Sequence, residues 1–328
     1  MKKLINNPAH IIDEMINGLT KSYAHLVKRI ENTTIVISIE NAAKVGLISG
    51  GGSGHEPAHA GFVGQGMLTA AVCGQVFTSP TPDQILIAIR AANKGHGVFM
   101  VVKNYSGDIM NFEMAKDLAE MDGIDVEYCI VADDIAVENS TYTQGRRGVA
   151  GTVLVHKILG AAIDQGATLA EVKSLSDAIL PHIKTIGVAF SGATVPEVGK
   201  PGFVLADDEI EYGVGIHGEP GYRREKLQSS ADLAKELVNK LNNEFNFQSG
   251  DNYALLINGL GSTPLMEQYV FANDVFKLLT NVGINIHFSK IGNYMTAIDM
   301  AGVSLTLMKL DNQKWTEYLN YGVKTVAW

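Results

Sequence analysis

The chain has 328 residues, 46% of them hydrophobic and 19% charged, with a formal net charge of −9 and two cysteines. That acidic balance excludes direct nucleic-acid binding, because neutralising phosphates takes a basic face. Apolar stretches stop short of the roughly 20 residues a membrane helix needs. Cys73 and Cys129 are too few for a disulfide framework and the N-terminus lacks an apolar signal core, so the expected setting is the reducing cytoplasm.

In chain order, Val45-Gly-Leu-Ile48 reads as a buried strand running into Gly50-Gly-Gly-Ser-Gly-His55-Glu-Pro-Ala-His59. Glycine after a strand lets the backbone turn sharply and present several N–H groups to a small ligand. A phosphate loop would close on Gly-Lys-Ser/Thr. This loop supplies His55 and His59, which titrate near neutrality and can move protons. On its own the segment is also the pattern of a structural turn. Pro82–Ala92 carries Ile85, Leu86, Ile89 and Ala92 at helical spacing, and Val98–Val102 is a second strand. Lys103-Asn-Tyr-Ser-Gly-Asp108 follows it: Lys103 can polarise an oxygen, and Asp108 can accept from a hydroxyl or act as a general base. A solvated surface ion pair has the same pattern.

The strand Val126–Val131 is followed by Asp133 and Asp134. Paired acids can hold a metal, cap the next segment, or pair with Arg146 and Arg147. With no third ligand at an informative spacing, the structural role is expected and no metal site is predicted. Val149–Ala162 has a helical period, and the segment from Thr168 to Leu180 reads as a polar helix. A domain change near residues 180–186 divides the chain into halves 1–183 and 184–328. The second half starts with a strand at Thr185–Phe190 and continues to Tyr212-Gly-Val-Gly-Ile-His217-Gly-Glu-Pro-Gly221, a second glycine-flanked histidine that echoes His55-Glu-Pro. A neutral imidazole there can move protons or add to a carbonyl carbon. Ser229–Asn246 is an amphipathic helix expected to pack on this half. Tyr253–Ile257 and Ser304–Met308 are further strands, with Gly259-Leu-Gly-Ser-Thr-Pro264 as a loop on the same rim or a subunit contact. The histidines at 10, 25, 96, 156, 182 and 287 have no pattern beyond surface or packing. The alternation predicts an α/β fold of two α/β domains with mainly parallel or mixed sheets, ligands collecting beyond the carboxyl ends of the strands.

Five segments together resemble the dihydroxyacetone kinase K family: residues 50–57, Phe-Thr-Ser-Pro-Thr-Pro at 77–82, residues 103–108, Tyr-Thr-Gln-Gly-Arg-Arg-Gly-Val-Ala at 142–150, and Gly-Ile-His-Gly-Glu-Pro-Gly at 215–221. The resemblance runs over essentially the whole chain. It implies that His217 binds the C2 carbonyl of dihydroxyacetone covalently as a hemiaminal. His55 and Asp108 would hold hydroxyls and assist proton transfer, while Lys103 and the loop Gly52, Ser53 and Gly54 contact the ligand. Glycerol, lacking a carbonyl, would not be captured. The resemblance further implies a homodimer with no cofactor or metal in this chain. In the kinase, ADP and Mg sit on a separate L subunit, recharged by an M subunit.

Two departures stand out. An arginine usual after the strand preceding the glycine loop is absent, the stretch reading Ile37-Ser-Ile-Glu40. The usual three aspartates are replaced by Ala132-Asp133-Asp134. Two uses therefore stay open: the substrate-binding subunit of the phosphotransferase-dependent kinase, or a non-phosphorylating sensor that coactivates a TetR-type regulator.

Overall fold

The computed structural model describes residues 2–40, 44–140 and 143–328; Tyr142 of the fourth motif lies outside them. Helix α1 (Ile11–Ser22) leads into strands β1 (Val27–Arg29), β2 (Ile35–Ser38), β3 (Gly46–Ser53) and β4 (Ala70–Val76), then α2 (Pro82–Ala92), β5 (Val98–Lys103), α3 (Ser106–Met121) and β6 (Val126–Val131). Helices α4 (Gly151–Asp164) and α5 (Leu169–Ile179) follow. The remaining elements are β7 (Ile183–Ala189), β8 (Glu209–Tyr212), β9 (Arg223–Lys226), α6 (Ser230–Phe245), β10 (Asn252–Gly259), α7 (Leu265–Asn281), β11 (Asn285–Gly292), β12 (Gly302–Lys309) and α8 (Gln313–Asn320).

Two six-stranded sheets result, in the orders β1-β2-β4-β3-β5-β6 and β11-β10-β12-β7-β8-β9. In the first, β4, β3, β5 and β6 run parallel, and only β2 is reversed, pairing antiparallel with both β1 and β4. The second is mixed but mostly antiparallel, with β10 and β11 its one parallel pair among the described strands. The reason is local. A parallel crossover needs a dozen or more residues, usually a helix; the short link from β11 to β12 contains none, so β12 enters the middle of the sheet reversed.

Burial on both faces explains the continuous apolar strands. In β5, Val98, Met100 and Val102 pack with Ile85, Ile89, Phe112 and Ala115 of α2 and α3. Phe99 and Val101 face the other way, into a core shared with Val153, Leu154 and Ile158 of α4. The same central core takes Ala254 and Leu256 of β10, whereas Leu255 and Ile257 pack against α6 and α7. The layers are thus helices, sheet, α4 with its neighbours, sheet, helices. Every residue of α4 from Gly151 to Ile163 is buried, which a middle layer requires. Thr168 caps α5 with Glu171 in a reciprocal box, and Ser229 caps α6. Among the described residues no helix is long and apolar enough to cross a membrane.

Asp133 and Asp134 take the structural role. Asp133 accepts from the N–H groups of Val149 and Gly151 at the start of α4, both at 2.8 Å, and from the Thr185 hydroxyl. Asp134 pairs with Arg147 at 2.7 Å, while Arg146 turns outward to Glu138 and Glu244. No group of acids, histidines or cysteines that could hold a metal occurs among the described residues.

Candidate functional site

Strands β3 and β5 end side by side, so the glycine loop and the segment 103–108 leave the same edge of the first sheet. Two glycines make room there by close approach. A Cβ on Gly52 would lie 2.5 Å from the backbone N of Thr78, and one on Gly51 would lie 2.4 Å from Lys103 Nζ. Ser53 is buried and its hydroxyl donates to the Gly74 carbonyl at 2.7 Å, which ties β3 to β4. Gly54 exposes its carbonyl to the second half of the chain, where the Ile298 N–H donates to it at 2.7 Å.

His55 is fully buried. Its ring stacks on Phe77 at 5.1 Å, and Nδ1 lies 2.7 Å from the Thr296 carbonyl oxygen. A carbonyl only accepts, so Nδ1 carries the hydrogen and Nε2 keeps its lone pair. His217 arrives from a tight turn after β8, closed by Gly218 N–H donating to the Gly215 carbonyl. Within this turn Glu219 folds back: it accepts from the His217 backbone N–H at 3.0 Å and sits 3.1 Å from His217 Nδ1. The carboxylate, whose side chain is fully buried, therefore assigns the hydrogen of His217 to Nδ1 as well. The two Nε2 atoms face each other at 3.1 Å across 162 residues of sequence, joined by at most one proton.

The wall is aromatic. Phe77 and Tyr105 meet the His217 ring edge-on, with centroids 5.2 and 4.5 Å away. An open cavity of about 600 Å³ adjoins it, lined among others by Gly52, Thr78, Asp108, Asn111 and His217. Asp108, in the first turn of α3, is nearly buried and accepts from Lys103 Nζ at 3.4 Å. Lys103 and His55 stand behind this wall, so the structure gathers His217, Asp108 and Gly52 at the cavity, with His55 and Lys103 in direct contact with the first two. Ser53 keeps its side chain out of that group.

Burial, then the charges of His217 and Lys103, holds His55 well below the usual imidazole range. Burial also raises the Glu219 carboxyl, but the hydrogen bond and charge of His217, with Arg147, outweigh it and leave it below its ordinary value. His59 is pushed well down by burial and by Lys103, and His156 is lowered to about 3 by the same two causes in the same order. Glu219, Tyr105, Thr296 and His156 were not assigned to the site from the sequence. The spacing His217-x-Glu219 was a visible signal; the other three had none, and His156 reads as one more position of an apolar helix.

Three buried neutral imidazoles have a consequence for stability. Below the unfolded value of 6.5 the unfolded chain takes up protons that folded His55, His59 and His156 refuse, so stability falls with pH. Asp134 acts with the opposite sign: burial, opposed by Arg147, raises it to about 6, so below that value the folded chain binds its proton first. The imidazoles outnumber it. Stability is expected to drop by about 2 kcal/mol from about pH 7 to about pH 6 in urea titrations. An unchanged midpoint would rule this out, and His156→Phe should reduce the drop by about a third.

Residues 17–327 match the family model described as the Dak1 domain. The chain is 62% identical over 328 residues to the dihydroxyacetone-binding subunit DhaK of the PTS-dependent dihydroxyacetone kinase of Lactococcus lactis, covering 100% of this chain and 99% of that protein. It is 47% identical over 328 residues to the DhaKLM operon coactivator DhaQ of the same organism, covering 99% and 100%. A solved structure described as the dihydroxyacetone kinase operon co-activator superposes with a TM-score of 0.92 at 46% identity, over 96% of this chain and 97% of that one.

Proposed function

The chain belongs to the Dak1 domain family, and from that premise we propose that it is the dihydroxyacetone-binding subunit of a phosphotransferase-dependent dihydroxyacetone kinase, capturing the triose on His217. The observation that carries the ligand chemistry is that His217 lines the cavity with its Nδ1 held by the buried carboxylate of Glu219. That hydrogen bond leaves Nε2 as the reactive nitrogen. Its lone pair forms the bond to C2, the carbonyl π pair moves onto oxygen, and that oxygen takes a proton from solvent entering the open cavity, leaving the ring as an imidazolium. No atom leaves. The positive charge that develops on the ring is stabilised by Glu219, to which the Nδ1 proton can pass.

Neutral His55 stands beside the attacking nitrogen with a free lone pair for a hydroxyl hydrogen of the ligand, while Asp108 and Lys103 offer an acceptor and a donor to the hydroxyls. Phosphate would be relayed through ADP and Mg on a separate L subunit, recharged by an M subunit, while this chain would contribute binding and acid–base groups. The role, as distinct from the ligand, is supported by the higher identity to the kinase subunit than to the coactivator, both over the full chain.

A second reading, a triose sensor that coactivates transcription, draws on the close superposition with the co-activator structure and on the altered stretch Ala132-Asp133-Asp134. In this fold both aspartates brace α4 and Arg147, and Ala132 is exposed, so an acid at 132 would face outward to a partner. Mixing the protein with the L and M subunits, phosphoenolpyruvate and the general phosphotransferase proteins separates the two. Turnover of dihydroxyacetone is the expected result; a covalent adduct with no turnover would overturn the kinase assignment in favour of the sensor.

A further inference from the structure

Behind the cavity wall the fold buries polar groups that triose capture does not use directly. His59 Nδ1 lies 3.0 Å from His156 Nε2 on α4, and His59 Nε2 lies 3.3 Å from Lys103 Nζ. Lys103 in turn reaches Asp108 Oδ2 at 3.4 Å. Lys103 and His156 are fully buried; His59 and Asp108 are 5% exposed.

The direction of this chain follows from which groups can donate. An ammonium only donates, so His59 Nε2 accepts and its hydrogen sits on Nδ1. That hydrogen must go to His156 Nε2, which places the last hydrogen on His156 Nδ1, an atom with no hydrogen-bond partner among the described residues. Ser49 Oγ stands 3.4 Å from His59 Nδ1, but its own hydrogen goes to the Val101 carbonyl at 2.7 Å, so it too can only accept. The charged and titratable groups facing His59 are Lys103, His156 and His55, and the charge facing His156 is Lys103. Both imidazoles are therefore neutral and polarised one way.

A buried ammonium is costly unless its hydrogens are placed. Asp108 takes one and His59 another. Gly51 leaves the space the ammonium occupies under the loop. We infer that His59 and His156 are positioning residues of the triose site, a one-way imidazole chain that pins the Lys103 ammonium against Asp108 beneath the glycine loop. This rests on the assignment of the triose to His217 and Asp108.

Two measurements test it. Nitrogen-15 NMR of the histidine rings in the free protein should show His59 and His156 as neutral Nδ1–H tautomers; an Nε2–H tautomer at His59 overturns the chain whether or not a triose is bound. Adduct formation with dihydroxyacetone, followed by mass, should slow on the order of 10²-fold in His59→Phe, the cost of a small misplacement of a working group. The final adduct at saturating triose should still form, because His217 is intact. His59→Gln, which restores an acceptor near Nε2, should recover most of the rate. His156→Phe should slow the wild-type background yet add nothing to His59→Phe, since it acts only through His59. Wild-type rates in His59→Phe, or additive effects, overturn the inference. A wild-type protein that forms no adduct instead defeats the assignment of His217, and the tautomers then decide the chain alone.

Discussion

His217→Ala is expected to abolish the mass increase expected of the wild-type protein on incubation with dihydroxyacetone. The reason is specific to one atom. Among the described residues, His217 is the one histidine that both lines the cavity and has a ring nitrogen held by a carboxylate. Alanine removes the bond-forming nitrogen outright, and His55, buried and stacked on Phe77 behind it, has its Nε2 aimed at the His217 position and not into the cavity. An adduct that persists in His217→Ala would defeat the assignment. Glu219→Gln should keep the turn but remove the charge that supports the developing imidazolium. Charge-assisted hydrogen bonds are roughly twice as strong as neutral ones, so adduct formation should slow by about tenfold or more with the protein still folded. An unaltered rate in Glu219→Gln would show that the carboxylate only shapes the loop.

The second large effect is at Arg147. Its side chain is fully buried, pairs with Asp134 at 2.7 Å, and donates from Nη2 to the Gly213 carbonyl at 2.6 Å. Asp134 belongs to the turn after β6, and Gly213 opens the loop that carries His217. One guanidinium thus fastens the two halves of the site. Arg147→Ala leaves the Asp134 carboxylate buried without its counter-ion, a change that costs about 3–5 kcal/mol of folding stability. It also frees the Gly213 carbonyl, so adduct formation should weaken in whatever folded protein remains. Chemical denaturation measures the first effect. Arg147→Met combined with Asp134→Asn should recover more than half of the loss, because no unpaired charge is left. A loss below about 1 kcal/mol in Arg147→Ala would mean that water reaches the carboxylate and that Arg147 is not the fastener.

How much was legible follows the physical source of each signal. The strand at 98–102 and the helix at 149–162 showed themselves because burial on both sides leaves unbroken apolar runs or a full apolar helix, and they reappear as β5 and α4 with ends shifted by one or two residues. Strand β4 was missed because Ala70-Ala-Val-Cys-Gly-Gln-Val76 is built of small residues that pack by closeness, and its pairing with β3 is long-range. Helix α3 was missed because Met110, Met114, Leu118 and Met121 lie exposed along it, which blurs the contrast between its faces. The predominance of antiparallel pairing in the second sheet was likewise hidden, since connection length fixes strand direction only once the neighbours are known.

The glycine loops, the family and the residue types able to handle a ketone were all determined by the sequence alone, because glycine, histidine and aspartate have those capacities wherever they stand. Which histidines work together was not. His55 and His217 come from opposite halves, and His59 meets His156 through a helix with no polar pattern. Only the tertiary structure decided that Glu219 holds Nδ1 of His217, which leaves Nε2 without a hydrogen. An imidazole has two nitrogens, and the partner that holds one of them, here Glu219, determines what the other can do.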